Sequence, residues 1–275
     1  MESKYRNNLM CAVFMRNCNE ALRLINSGSD LHGGERMLLK CCQADCMEPV
    51  AIRLLELGIK PNYLDVHNEE TPLLASISRS TLCLFDKLIA AGADTEQCIN
   101  TDNDTALMVA CEFPDLSNAC IKLIEAGANV EHKNKRGDTP LSNARRRGQP
   151  QRVIMKIIRR LFINACEKGD YDGVCNILST DSSILDDLSA PLVVACERGH
   201  SDIAVLLISH GARRDTEKAL LSLCEKETMT EKAALALLDI CFELRPAEKS
   251  RLFIEFHQRN MHTAARRIEL LLSQD

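Results

Sequence analysis

The sequence has no tryptophan, only 4% aromatic residues, 12 glycines and 8 prolines among 275 residues. Few aromatic and β-branched side chains beside abundant Leu and Ala exclude an all-β architecture, and low Gly and Pro exclude fibrous and low-complexity chains. No apolar run approaches the roughly 18 residues of a membrane-spanning helix. The opening Met1-Glu2-Ser3-Lys4-Tyr5 leads into no apolar core of a Sec-type signal, so a soluble chain without such a signal is expected. Also missing are the Gly-x-Ser-x-Gly elbow, a phosphate loop, His-Glu-x-x-His, a kinase set and any Cys-x2-Cys with a matching second pair.

What is present is an apolar fraction of 45% with 27% charged residues, enough to build a mainly helical core. The 14 cysteines lie inside Leu- and Ala-rich segments that read as helix, which fits a reducing cytosol better than a disulfide scaffold. Charge is segregated. Residues 1–132 carry a net −8, residues 133–160 a net +9 and residues 161–275 a net −6. In the basic block Lys133, Lys135, Arg136, Arg145, Arg146, Arg147, Arg152, Lys156, Arg159 and Arg160 meet only Asp138 within the window. Such self-repulsion points to an anionic partner.

Self-similarity organises the chain. Thr105-Ala106-Leu107-Met108-Val109-Ala110-Cys111 resembles Ala190-Pro191-Leu192-Val193-Val194-Ala195-Cys196, and Thr71-Pro72-Leu73 and Thr139-Pro140-Leu141 open further copies. Each copy runs into a second apolar stretch that often ends in Gly, as in Leu123-Ile124-Glu125-Ala126-Gly127 and Leu207-Ile208-Ser209-His210-Gly211, the signature of a left-handed helix stop. Each unit is thus expected to be two short antiparallel helices. Thr71, Thr105 and Thr139 are 34 residues apart. That period, with Gly127-Ala128-Asn129-Val130 through Gly137-Asp138-Thr139-Pro140-Leu141 and Gly199-His200-Ser201-Asp202-Ile203-Ala204, resembles the ankyrin repeat family over nearly the whole chain.

The resemblance implies an all-α, ankyrin-type helical solenoid of stacked helix-turn-helix repeats. Short β-hairpin fingers are expected in the N-terminal half only, near residues 59–72, 93–106 and 128–140. It implies ankyrin repeats with fingers over 1–158, and degenerate helical pairs with a capping helix over 159–275, continuous with the first stack. The family's usual His after Thr-Pro-Leu is replaced by Leu74, Met108 and Ser142, which predicts weaker bonding between repeats. A tight turn is expected over Asp186-Asp187-Leu188-Ser189, a helix start at Pro246, and a closing helix from Thr263 to Leu272 with Arg266, Arg267 and Glu269 on its wet side.

Cys42, Cys111, Cys166, Cys196 and Cys224 share one column of the alignment, a small-residue packing position, so they read as core side chains and not as nucleophiles or metal ligands. His200 and Asp202 read as a helix-start pair. The expectation is therefore a protein that is not an enzyme, with no cofactor and no metal. It would be a monomeric, cytoplasmic interaction scaffold whose concave face grips a protein partner. The partner-binding candidates are Lys133, Lys135, Arg136, Arg145, Arg146 and Arg147, suited to an acidic segment, with the acidic fingers at Asp65 and Asp102 as the other choice. Phosphoinositide ranks second as the anion and nucleic acid third, because pI near 5.9 and few aromatics disfavour it. Stand-alone degenerate ankyrin stacks also resemble effectors that intracellular bacteria deliver into a host cell, and the tail from Glu269 to Asp275 is similar to their export signals. The alternative is an enzyme or lipid-binding factor with a site in the finger-poor C-terminal half.

Overall fold

The computed structural model describes residues 9–78, 82–180, 188–212, 216–224, 226, 229–239 and 246–273. The chain divides into two compact units, unit 1 up to Ile157 and unit 2 from Ile158. Among the described residues every regular element is a helix and no strand occurs.

In unit 1 a helix ending at residue 14 (α1) is followed by α2 (Cys18–Asn26), α3 (Gly34–Cys42), α4 (Glu48–Glu56), α5 (Pro72–Ser78), α6 (Leu82–Ala90), α7 (Ala106–Glu112), α8 (Ser117–Glu125) and α9 (Pro140–Arg146). The first helices of successive repeats pack in one rank, α3 on α5, α5 on α7 and α7 on α9, and α2, α4 and α6 pack in a second rank. Leu38, Leu54, Leu73, Leu88, Leu107 and Leu123 are all buried between them. Burying each Leu contributes about 1.5–3 kcal/mol, and here that driving force is spread evenly along the stack.

The repeat's fixed residues do local work. Thr71, Thr105 and Thr139 are N-caps: their hydroxyls accept from the amides of Leu74, Met108 and Ser142, and Ser142 returns the bond to Thr139 in a capping box. Gly127, at φ 94°, closes α8 in the left-handed conformation, and the amides of Gly127 and Ala128 turn back onto the Ile124 and Leu123 carbonyls.

The expected β-hairpins differ from what forms. Residues 65 and 70 make one isolated antiparallel bridge, and the other two fingers are loops in which one backbone bond spans the loop, Ile99 N to Asp104 O at 2.9 Å and Asn134 N to Asp138 O at 3.1 Å, around a tighter turn bond, Asn103 N to Asn100 O and Gly137 N to Asn134 O. The reason is competition from side chains. Asn100 Oδ1 accepts from the Asp102 and Asp104 amides, and Asn134 Oδ1 from the Arg136 and Asp138 amides, so those donors are used inside each loop and not across a ladder.

The boundary between the units falls within α10 (Gln151–Lys168), one helix of 18 residues where two short ones were expected. With no Gly, Pro or cap residue between Ile158 and Leu161, nothing in the sequence stops it. Unit 2 continues with α11 (Tyr171–Thr180), α12 (Ser189–Arg198), α13 (Ser201–Ser209), α14 (Thr216–Cys224), α15 (Glu231–Leu238), α16 (Pro246–Gln258) and α17 (His262–Leu272). Its first helices α12, α14 and α16 pack in sequence, as do its second helices α11, α13, α15 and α17. Phe162, Leu192, Leu207, Leu220, Leu237 and Phe256 form its core. Pro246 opens α16, and α17 exposes Arg266, Arg267 and Glu269 while burying Ala264, Ala265 and Ile268. Most of the tight turn expected before Ser189 lies outside the described residues.

Candidate functional site

The cysteine column is core. Cys42, Cys111, Cys166, Cys196 and Cys224 are all buried, and burial pushes the Cys166 and Cys196 thiols up to about 12. Cys111 and Cys120 face one another at 3.9 Å, and the hydrogen bond between them, added to burial, holds Cys111 protonated far above the ordinary thiol range. Neutral thiols are poor nucleophiles and poor metal ligands. Among the described residues no three His, Cys, Asp or Glu side chains gather as a metal ion would require.

In unit 2 a groove of about 810 Å³ is lined by Gly169, Tyr171, His200, Asp202, Thr230 and Lys232, among others. The His200 ring lies against Gly169, and its Nε2 sits 3.2 Å from the Glu167 carbonyl. A carbonyl can only accept, so that nitrogen carries the proton and caps the end of α10.

The finger row of unit 1 is where side chains converge. Its first seam is held by Asn62, whose Nδ2 donates to Gly92 O at 3.1 Å and whose Oδ1 accepts from the Asp94 amide at 2.8 Å. The second seam is denser. Asn134 Nδ2 donates to Asp104 Oδ1 at 2.7 Å, His132 Nε2 meets Asn103 O at 2.8 Å, and Lys135 donates through its amide to Asp102 O at 2.9 Å and through Nζ to Thr101 O at 2.7 Å. Asp104 and Asn134 are both buried. Inter-repeat bonding is thus plentiful, contrary to expectation: it comes from finger Asn and Asp residues rather than from a His after Thr-Pro-Leu.

Arginines extend this network onto the first helices. Arg136 lies 3.6 Å from Asp102 Oδ2, 3.6 Å from Asp104 Oδ2 and 3.7 Å from Asp138 Oδ2. Arg146 donates to Asp138 Oδ1 at 3.1 Å and to Asn143 Oδ1 at 2.7 Å, and approaches Glu112, which also pairs with Arg147 at 3.6 Å. Lys156 pairs with Glu125 at 2.9 Å, and Arg152 donates to Asn118. The structure therefore joins Lys135, Arg136, Arg146, Arg147 and Asp102. Among the described residues the Lys133 and Arg145 side chains are exposed and have no ion-pair or hydrogen-bond partner. Asp65 stays apart, in the first finger, where it caps its own turn: Asn68 Nδ2 and the amides of His67 and Asn68 donate to it, and the Asn68 bond chiefly lowers its carboxyl pKa.

Three residues not singled out in the sequence matter here. Asn100 and Asn134, five residues before Thr105 and Thr139, shape the fingers, and their 34-residue spacing is the signal that marks them. Gln149 is buried and donates through Nε2 to the carbonyls of Ala110, Cys111 and Phe113 at 3.2, 3.1 and 2.9 Å, while its Oε1 accepts from Ser117. It caps the α7 end from the following repeat.

Residues of this chain align with SH3 and multiple ankyrin repeat domains protein 1 of Homo sapiens at 28% identity over 171 residues, 61% of this chain. That similarity and the all-helical paired ranks support the relation to ankyrin repeats. The aligned region spans 7% of the human protein's length. No family model matches the chain. Among the described residues no helix is long and apolar enough to cross a membrane.

Proposed function

We propose that this chain is a non-catalytic protein-binding module. In this reading its partner docks on the fingers and first helices of unit 1, with an acidic segment against Lys133, Lys135, Arg136, Arg145, Arg146 and Arg147. The observation that carries it is the bonded finger row: cross-finger hydrogen bonds fix a set of exposed polar groups in advance, so that little ordering entropy is lost on binding. Lys133 and Arg145, left without internal partners, are the cations with most to gain from a carboxylate. Free buried thiols support a reducing compartment. A phosphoinositide headgroup is the second candidate for the anion. The similarity to bacterial effectors rests on the degenerate ankyrin stack and on the tail, whose Glu269-Leu270-Leu271-Leu272 forms the last turn of α17.

The test is affinity capture from cell lysate with quantitative mass spectrometry, comparing wild type, Arg145→Glu/Arg146→Glu/Arg147→Glu, and the control Arg266→Glu/Arg267→Glu. A protein recovered in near-stoichiometric amount by wild type and control, and lost with the triple variant, is the expected result. Equal capture by the triple variant contradicts the assignment of this face.

A further inference from the structure

The finger row is not uniformly basic; it is polar along its length. Residues 59–71 hold Lys60 against Asp65, Glu69 and Glu70, and residues 93–105 hold Asp94, Glu96, Asp102 and Asp104 with no base. The third finger reverses the balance with Lys133, Lys135 and Arg136 against Glu131 and Asp138, and Arg145 and Arg146 end α9 with Arg147 at its C-cap. Where the two ends meet, the charges satisfy one another: Arg136 with Asp102 and Asp104, Arg146 and Arg147 with Glu112. Apart from Lys60, an exposed cation in the first finger, what remains uncompensated is sorted in space. Among the described residues Glu69, Asp94 and Glu96 are exposed with no cation in ion-pair reach on the acidic side, and Lys133 and Arg145 are exposed with no acid on the basic side. The seam bonds of Asn62 and Asn134 keep the fingers in this order, so the two ends cannot fold onto each other.

A uniformly acidic segment long enough to run along this row would gain at the third finger and be repelled at the first two, and a uniformly basic one would meet the reverse. We propose that the partner segment is itself of mixed charge, a basic stretch beside an acidic one, with the basic stretch against fingers one and two and the acidic stretch against finger three and Arg145. This rests on the reading of the finger face as the partner site, and it names the chemistry of the partner there. Screening over about 8 Å at physiological salt lets each end read its own stretch.

The probes are labelled synthetic peptides of equal length, one with a lysine block joined to a glutamate block by a Gly-Ser spacer, one all-glutamate and one all-lysine. Each is titrated by fluorescence anisotropy at low salt into the full chain. The block peptide is expected to bind about tenfold more tightly than either uniform peptide, the gain of several exposed pairs acting together. Glu69→Lys/Asp94→Lys should abolish that preference and strengthen the all-glutamate peptide, and Lys133→Glu/Arg145→Glu should strengthen the all-lysine peptide, with helical circular dichroism unchanged in both. If the all-glutamate peptide binds wild type as tightly as the block peptide, the mixed-charge partner is overturned and the acidic partner stands. If block-peptide binding is absent, or responds to neither variant, the finger face itself is not the site and both readings fail.

Discussion

In unit 1 the hydrogen bonds between repeats occur at both ends of the helices. Asn62, Asn134 and Lys135 work at the finger end, and Gln149 works at the turn end. In unit 2 the described hydrogen bonds between repeats gather at the turn end. His200 reaches Glu167 O, Arg259 reaches the Cys224 and Lys226 carbonyls at 2.9 and 2.5 Å, and Glu231 accepts from the Thr263 and Ala264 amides; Arg267 with Asp239 is an exposed exception. Gln149, His200 and Arg259 do the same job with three side-chain chemistries, each capping the first helix of the preceding repeat. The comparison teaches that turn-end capping suffices to stack helix pairs, whereas finger bonding, with 14–15 residues between helix pairs against 6–8 in unit 2, presents polar side chains at fixed places. The partner surface proposed above uses the second device.

The largest expected effect is at the second finger seam. Asn134→Ala removes the one oxygen that accepts from the Arg136 and Asp138 amides and the donor that meets the buried Asp104 carboxylate, and should destabilise unit 1 by about 2–4 kcal/mol in urea unfolding. A loss within a few tenths of zero would erase the distinction between the units. The turn-end caps come next: Gln149→Leu and Arg259→Met each strand helix-end carbonyls and should each cost about 1–3 kcal/mol. Similar losses would show that the cap is equivalent in both units, and a silent Gln149→Leu would mean that the fingers alone hold unit 1.

Titration sharpens the comparison further. The buried thiols have folded pKa values raised above 9.0, with Cys196 at about 12, so their contribution is fully present below pH 9 and is lost as pH rises toward the folded value. Both units should therefore weaken in alkali, and Cys196→Ala, costing about 1 kcal/mol at neutral pH, should cost less as the pH is raised past 9. On the acid side Glu231 belongs to unit 2 alone. The Ala264 and Thr263 amides lower its pKa from 4.5, so its contribution is present above 4.5 and is lost as pH falls through the lowered value; Glu231→Gln should flatten that loss in thermal melts. The smallest effect is at Glu69, a left-handed residue at φ 51° in the first finger, where Gly should stabilise by about 0.5–1 kcal/mol. Destabilisation there would show that the Glu69 side chain has a structural role in the finger.

Helix placement was legible because it depends on local signals: Thr caps, Gly stops and apolar spacing at 3.6 residues. The closing helix with Arg266 and Arg267 outward and the buried cysteine column follow from the same pattern. The second and third fingers do not pair as the expected hairpins because Asn100 and Asn134 compete for amides that a strand would have paired. The basic block looked unopposed because its counter-charges, Asp102, Asp104, Glu112 and Glu125, lie about one repeat upstream, and a window of 28 residues cannot contain a partner that the fold supplies from outside it. Gln149 was invisible for the same reason: its partners are 36 to 39 residues away.

The most direct test of the central claim is amide hydrogen exchange of the full chain with and without its captured partner. A partner on the finger face should slow exchange in residues 93–105, 128–139 and 140–147 and leave 188–212 and 229–239 unchanged. Protection confined to the α11–α13 groove of unit 2, with the fingers unaffected, would contradict it.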